Sequence, residues 1–348
     1  MGPADLLQLL DQTQPRRVRA IENLLRGRRT VSTLYWGQRY QLLALLSLAK
    51  QLDRGALDAA AQQVVQQGLA SWDANHERLV LTPRGLAAQQ SATYFHPQTA
   101  DWWPTIDLMT ARQRILLAVQ VASQFSHHAG HYLPLTTDMA TRQFVRNWFH
   151  QVKANDLGTQ VLAALTTSLA KLDPLVAAVV TGQFTGYQQA GQTLGQLSQT
   201  TQRTPWEIQL MQFEGLAQIM QDAKAPTNPF NSLLQPLWQT PVSRSAQITL
   251  NTVKQGQTLA QIAGERRVKV STVREHLLEA AIMLPLAAFP YDRLLAPATR
   301  DQFKAVVQGP VDDWQYTELP EALQKQYEFF YFRLYAIWVG KQGEQHGK

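Results

Sequence analysis

The sequence predicts a mainly helical protein made of several domains. Apolar residues recur at spacings of three and four along most of the 348 residues, which places them on single faces of helices. Hydroxyl residues stand where helix N-caps are expected, and only one short region has the pattern of paired strands. The apolar fraction of 45% and charged fraction of 17% are typical of ordered globular domains. A chain of this length suits two or three of them.

Composition and missing motifs exclude several classes of function. The chain has no cysteine, which removes disulfides, thiolate nucleophiles and cysteine-bound zinc. It has no apolar run of membrane-spanning length and no signal-peptide core, so we expect a cytoplasmic protein, free or associated with the nucleoid, without a membrane partner. It also lacks the GxxxxGK(S/T) phosphate loop, the GxSxG motif and the Gly-rich dinucleotide fingerprint. We therefore expect a protein that is not an enzyme and has no cofactor.

The N-terminal domain, expected over residues 1–153, is predicted to be winged-helix-like. It begins with an arginine-rich helix that ends at Gly27, a residue typical of helix C-caps. Further helices, two short extended segments around the turn at 73–75, and a helix that starts at Thr82-Pro83 complete the pattern. The aromatic segment 94–103 is expected to cross this domain as an irregular strap.

The central domain, expected over residues 154–242, contains a helix-turn-helix-like pattern. Thr193 and Thr204 are placed to cap two consecutive helices, and Glu207 completes a capping box with Thr204. Residues 193–216 resemble the fourth region of a sigma factor. Because residues 155–225 hold three basic and five acidic residues, the pattern favours contact with protein over contact with phosphate.

The C-terminal domain, expected over residues 243–348, contains the clearest helix-turn-helix pattern, at residues 257–278. Thr258 is placed to cap the first helix and Ser271 the second. The apolar positions of the two helices share one face each, at Ile262 and Ala263, then at Val273, Leu277 and Ala280. In such a motif the second helix can enter a major groove with its N-terminal residues leading. The aromatic helix after Leu319 is expected to pack back on this domain.

Positive charge is concentrated at the N-terminus. Residues 1–50 hold eight basic and three acidic residues, and the other 298 hold 24 and 23. A concentrated basic face is typical of nucleic-acid binding, although a solvated helix face explains the charge equally well. We predict ten DNA-binding residues in two groups: Arg17, Arg19, Arg26, Arg28 and Arg29, then Arg266, Lys269, Ser271, Thr272 and Arg274.

Other clusters of polar residues favour structural roles. His127 and His131 have the spacing of helical metal ligands, but Gly130 interrupts the helix and a third ligand is missing, so we expect no metal site. Adjacent Asp312 and Asp313 point in different directions and suit a loop or cap better than an acid pair. Tryptophans such as Trp36 and the pair at 102–103 can stack on bases but more often fill cores.

Four stretches of the chain resemble known families of helicase-associated proteins. The N-terminal segment resembles the start of YpbB-like proteins at Arg17, Leu25, Arg26, Gly27, Arg28, Arg29, Thr30 and Thr33. The same family is resembled further along by the stretches LLAVQVASQF and YLPLTTDMATRQFVRNWF. The C-terminal motif resembles the helicase helix-turn-helix domain at Ile262, Ala263, Glu265, Arg266, Thr272, Val273, His276 and Leu277. Arg267 departs from that pattern, which often has Gly in the turn. The resemblance implies a non-enzymatic accessory factor of a RecQ-type helicase.

We therefore expect a DNA-binding and protein-docking accessory factor of a RecQ-type helicase in repair or replication. Two alternatives remain open. A transcriptional regulator would use the same helix-turn-helix to read a defined operator. A protein scaffold would pack every helix-turn-helix against protein and leave DNA untouched.

Overall fold

A computed structural model describes residues 1–346, with side chains through residue 343, and it confirms the mainly helical fold. The described helices are α1 (Pro3–Leu7), α2 (Val18–Leu25), α3 (Val31–Arg39), α4 (Asp58–Gln66), α5 (Pro83–Ser91), α6 (Leu108–Ser126), α7 (Met139–Val152), α8 (Leu157–Leu169), α9 (Pro174–Gly182), α10 (Leu194–Thr201), α11 (Pro205–Asp222), α12 (Asn231–Leu234), α13 (Arg244–Lys254), α14 (Leu259–Arg266), α15 (Val270–Met283), α16 (Tyr291–Leu294), α17 (Pro297–Val306), α18 (Glu321–Gln326) and α19 (Phe329–His346). Strands β1 (Ala70–Trp72) and β2 (Leu79–Leu81) form one antiparallel ribbon. Within residues 1–346 no helix has the length and apolar character needed to cross a membrane.

The chain forms two compact units, and each is assembled from segments distant in sequence. The first unit contains residues 1–15 and 56–239, and the second contains residues 16–55 together with the chain from Thr240 onward. The units therefore do not follow the sequential domains 1–153, 154–242 and 243–348, because residues 16–55 pack with the C-terminal segment. Independent folding of those three segments stays a prediction.

The two-stranded ribbon belongs to the first unit. Ala70 pairs with Leu81 and Trp72 with Leu79. The side chain of Thr82 accepts a hydrogen bond from the backbone N–H of Gly85, which confirms the start of α5. The expected winged-helix-like arrangement differs from the structure in one respect. Helices α2 and α3, expected beside the ribbon, belong to the second unit.

Helix α11 is the central helix of the first unit. Both predicted caps around it are present: the side chain of Thr193 caps α10, and that of Thr204 caps α11 with Glu207 as its box partner. Helices α6, α8, α9 and α10 surround α11, and its residues are buried on almost every side. A helix covered in this way supports a core and has no free face for a partner.

Two acidic side chains of α11, Glu207 and Glu214, are buried, which corrects the expectation that they face a partner protein. Glu214 is 3% exposed and its two oxygens accept hydrogen bonds from the backbone N–H groups of Gln98 and Thr99. The Thr99 hydroxyl donates to the same carboxylate at 2.7 Å. Glu207 accepts from the N–H of Phe95 at 3.2 Å. These carboxylates satisfy backbone donors of the strap, which would otherwise be unpaired in the interior.

Helix α15 is the central helix of the second unit and packs against α3, α13, α14 and α19. The aromatic helix α19 folds back on this unit as expected, with Phe332 and Ile337 fully buried. Lys341 of α19 is also buried, and its ammonium group donates to the carbonyl oxygen of Ile282 at 2.7 Å. A cation at this position satisfies a carbonyl left free at the end of α15.

Candidate nucleic-acid interface

The helix-turn-helix is formed by α14, a short turn and α15. The side chain of Thr258 accepts from the backbone N–H of Gln261, and the Gln261 side chain accepts from the N–H of Thr258, which completes a capping box. Helix α15 begins at Val270 after Lys269, whose extended backbone is its N-cap without a side-chain cap. The expectation that Ser271 caps this helix is wrong, because Ser271 lies inside its first turn.

The apolar face predicted for the motif is its core. Ile262, Val273 and Leu277 are fully buried, and Ala263 is 7% exposed. The small Ala263 side chain lets α14 and α15 approach closely, and Val268 is half-buried in the turn. These contacts fix the angle between the two helices, which in this motif decides how the second helix is presented.

Arg267 holds the turn in a left-handed conformation, with φ 53° and ψ 44°. The N–H of the next residue, Val268, donates to the carbonyl of Ala263 at 3.0 Å, as at many helix ends. A non-glycine residue there costs about 1 kcal/mol. The sequence pattern marked Arg267 only as a departure from Gly. Its side chain is exposed beside Lys269 at the leading end of α15, so it adds a cation that we did not predict.

Arg266 is half-buried and makes hydrogen bonds to two neighbouring helices. Its guanidinium donates to the Ser245 carbonyl of α13 at 2.9 Å, to the Thr249 hydroxyl, and to Nδ1 of His276 at 3.3 Å. An Nδ1 that accepts a hydrogen bond carries no proton of its own. Burial, and next the charge of Arg266, lower the pKa of His276. Arg266 therefore joins α14 to α13 and α15, which leaves less of its guanidinium for phosphate.

The remaining predicted residues of this motif lie near the N-terminus of α15. Lys269 and Ser271 are exposed and Thr272 is half-buried. Arg274 pairs through both terminal nitrogens with the carboxylate of Glu328, which is itself 61% exposed. An exposed ion pair contributes little stability, so a phosphate can replace Glu328 at small cost.

Arg29 contacts the helix-turn-helix domain directly, although 250 residues separate it from its partner. Its Nη2 lies 2.6 Å from Oε1 of Glu279 in α15 and also donates to the carbonyl of Pro241 at 2.6 Å. The Glu279 carboxylate, 9% exposed, accepts from the backbone N–H and the hydroxyl of Ser243 as well. The charge of Arg29 is thus used to neutralise a buried carboxylate.

Two other predicted arginines, Arg19 and Arg26, lie near the carboxylate of Glu22 in α2. Its fully buried carboxylate lies 2.7 Å from Arg19 and 3.8 Å from Arg26, and it accepts from the N–H of Gly55 at 2.9 Å. The Arg19 side chain remains 43% exposed, whereas that of Arg26 is 21% exposed. Arg19 is therefore better placed than Arg26 to reach a phosphate.

Arg17 and Arg28 lie on either side of α2 in different surroundings. The Arg17 guanidinium lies over the Trp36 ring, 5.1 Å from its centroid, and its backbone N–H donates to the Tyr40 hydroxyl. Arg28 follows Gly27, whose φ of +82° confirms the predicted helix end. Arg28 is exposed, and within residues 1–346 its side chain has no ion-pair or hydrogen-bond partner. It is the most available cation of the N-terminal group.

The clusters assigned to structural roles make contacts within the fold. Within residues 1–346 no group of three His, Asp or Glu side chains can hold a metal ion, and His127 stacks on Tyr187 at 4.6 Å. Asp312 pairs with Arg39 at 2.5 Å. Trp36 and Trp103 are 9% and 2% exposed, so they belong to cores and not to a stacking surface.

Charge is divided sharply between the two units. Residues 16–55 hold nine basic and two acidic residues and residues 240–348 hold 13 and 11, which gives the second unit a net charge of +9. Residues 1–15 and 56–239 hold 10 basic and 13 acidic residues, a net charge of −3. All ten predicted DNA-binding residues lie in the second unit. The structure thus brings both predicted groups into one basic unit.

Comparisons with known proteins agree with the C-terminal motif. Residues 245–336 match a family model described as a helix-turn-helix domain, so the chain contains such a domain. Protein YpbB of Bacillus subtilis (strain 168) is 21% identical over 280 residues, which cover 76% of this chain and 77% of that protein. No solved structure matches the chain significantly.

Proposed function

We propose that this chain is a non-enzymatic DNA-binding protein whose second unit binds the phosphate backbone and presents α15 to a groove. The observation that carries the proposal is that the basic segment 16–55 folds with the helix-turn-helix, about 200 residues away in sequence, into one unit of net charge +9. Neutralised phosphates release counterions, which supplies much of the affinity of such a surface.

The residues divide into those that contact DNA and those that support them. Lys269, Ser271 and Thr272 place the first turn of α15 on the duplex, with Arg274 joining once Glu328 is displaced. Lys269 takes a phosphate, and the two hydroxyls are suited to phosphate or base edges.

The N-terminal arginines have unequal roles in the proposal. Arg28 and Arg19 take further phosphates, because their side chains are the most exposed of the group. Arg17 and Arg26 contribute long-range positive potential while they hold aromatic or carboxylate partners, whereas the charge of Arg29 is balanced by Glu279 inside the unit.

A RecQ-type helicase is the proposed partner, and repair or replication of chromosomal DNA in the cytoplasm is the proposed setting. Support comes from the resemblance of residues 17–33 and 262–277 to helicase-associated proteins and from the distant similarity to YpbB. Co-purification with the host's helicase from nuclease-treated extract tests this part. Absence of the helicase at near-physiological salt contradicts it.

Duplex binding by the full chain tests the DNA-binding part. We expect a retarded complex with random-sequence duplex at low salt, weakened when Lys269, Ser271 and Thr272 are all replaced by Ala. Selection from a random duplex pool then separates the functions: a defined consensus identifies a transcriptional regulator, and its absence fits the accessory role. Lack of any complex at low salt identifies a protein scaffold and overturns the proposal.

A further inference from the structure

An apolar cleft opens in the first unit between α6 and α7, whereas every residue assigned to DNA belongs to the second unit. Its volume is about 340 Å³. The walls are aliphatic and aromatic side chains of the two helices: Leu117, Val121, Phe125, Val145 and Phe149. Tyr132 and Pro134 of the connecting loop close one side. A cleft of this size and lining accommodates one or two large apolar side chains.

Two arginines stand at the edge of the cleft, one helical turn apart on α7. Nε of Arg142 donates to the carbonyl of Thr136 at 2.7 Å, which ties the loop to the helix and leaves both terminal nitrogens available. Arg146 is exposed, and within residues 1–346 it has no ion-pair or hydrogen-bond partner. The pair can receive a carboxylate at the mouth of an apolar cavity.

The cleft is flanked by positive charge although its unit has a net charge of −3. Arg142 and Arg146 are the charged residues of its lining, and the Lys153 ammonium lies 5.4 Å from the centroid of the lining Phe125 ring. Two large apolar side chains near the lining residues in sequence are exposed: Leu133, between Tyr132 and Pro134, is 90% exposed, and Met139, three residues before Arg142, is 71% exposed. Exposed apolar side chains grouped beside unpaired cations mark a surface for an acidic, apolar partner.

We propose that this cleft binds a short acidic segment of a partner protein. A leucine or phenylalanine of that segment fills the cavity, and a neighbouring carboxylate pairs with Arg146 and Arg142. Duplex DNA does not fit this chemistry, because it offers phosphates without an apolar side chain for the cavity. A peptide can also cover the exposed side chains of Leu133 and Met139, which a small carboxylic acid would leave uncovered.

Fluorescence anisotropy with the full chain tests the proposal, using fluorescein-labelled Asp-Asp-Asp-Leu-Phe as the probe. We expect saturable binding that weakens about tenfold or more in Arg146→Glu, since a charge-assisted contact becomes a repulsion. Val121→Trp fills the cavity and should weaken binding similarly. Arg84→Glu is the matched control, because it changes an exposed arginine of the same unit on α5, and it should leave the affinity unchanged.

Changes in the probe complete the test. Replacement of Leu-Phe by Ala-Ala, or of the three Asp by Lys, should abolish binding. Unchanged affinity in Arg146→Glu, or equal affinity for the Ala-Ala probe, overturns the proposal. Displacement of the probe by decanoate at lower concentration than by unlabelled peptide assigns the cleft to a small acid instead and also overturns it. Duplex binding by Arg146→Glu should equal that of the unaltered chain, so this proposal and the DNA-binding proposal fail separately.

Discussion

Replacement of Arg29 by Ala should destabilise the second unit, whereas the same change at neighbouring Arg28 should not. Arg29 supplies two of the four hydrogen bonds that the Glu279 carboxylate accepts, and Ser243 supplies the other two. Removal of one partner from a buried ion pair costs about 3–5 kcal/mol, and removal from an exposed pair about 0–1 kcal/mol. Arg29 is 33% exposed and Glu279 9% exposed, so we expect a loss of about 2 kcal/mol.

Urea unfolding followed by circular dichroism measures this loss. With a denaturant dependence of about 2 kcal/mol per M, the midpoint of the second unit should fall by about 1 M in Arg29→Ala and by a few tenths at most in Arg28→Ala. In a Glu279→Ala background, Arg29→Ala should cost much less, because its partner is gone. Equal midpoints for the two arginine variants, or additive losses in the double variant, would show that the Arg29–Glu279 pair is not what joins the segments.

Three further predictions address other parts of the fold. Because the pKa of His276 is lowered in the folded protein, the unfolded chain takes up a proton first as pH falls below about 6.5. The urea midpoint of the second unit should therefore drop as pH falls from about 7.5 to 5.5, and His276→Gln should make that midpoint less dependent on pH. Arg267→Gly should stabilise the second unit by about 0.5–1 kcal/mol, since it relieves the left-handed turn; a lower urea midpoint would contradict the strain. Glu214→Gln should lower the free energy of unfolding of the first unit by about 1–3 kcal/mol and speed hydrogen exchange at the Thr99 amide. Unchanged exchange would show that this carboxylate does not hold the strap.

Local features of the fold were predictable because short-range chemistry determines them. Hydroxyl residues just before apolar periodic segments gave the caps at Thr193, Thr204 and Thr258, and Glu207 gave the capping box of Thr204. Apolar periodicity gave the buried stripe of α15, and Gly27 gave the end of α2. The cap at Ser271 was wrong because backbone geometry made Lys269 the first boundary residue, and side-chain type alone does not reveal that choice.

Long-range features were not predictable, because no local pattern encodes which segments meet. The sequence marked Arg29 as a DNA-binding cation and gave no sign of a carboxylate partner, whereas the structure pairs it with Glu279. Arg266 showed the same limit: its position in the motif suggested phosphate contact, and its hydrogen bonds to α13 and α15 became visible only in three dimensions. The burial of Glu214 was not predictable for the same reason, because its partner Thr99 in the strap lies 115 residues away in sequence.

The salt dependence of duplex binding tests most directly whether the second unit is the phosphate-binding surface. Anisotropy with a random-sequence duplex between about 50 and 200 mM salt gives the slope of log affinity against log salt. The double variant Arg28→Ala with Lys269→Ala removes two exposed cations of that unit and should reduce the slope by about 1.8, or about 0.9 for each lost phosphate contact. The matched variant Arg84→Ala with Arg146→Ala removes two exposed cations of the first unit and should leave the slope unchanged. An unchanged slope in the first variant, or an equal reduction in both, would contradict the account.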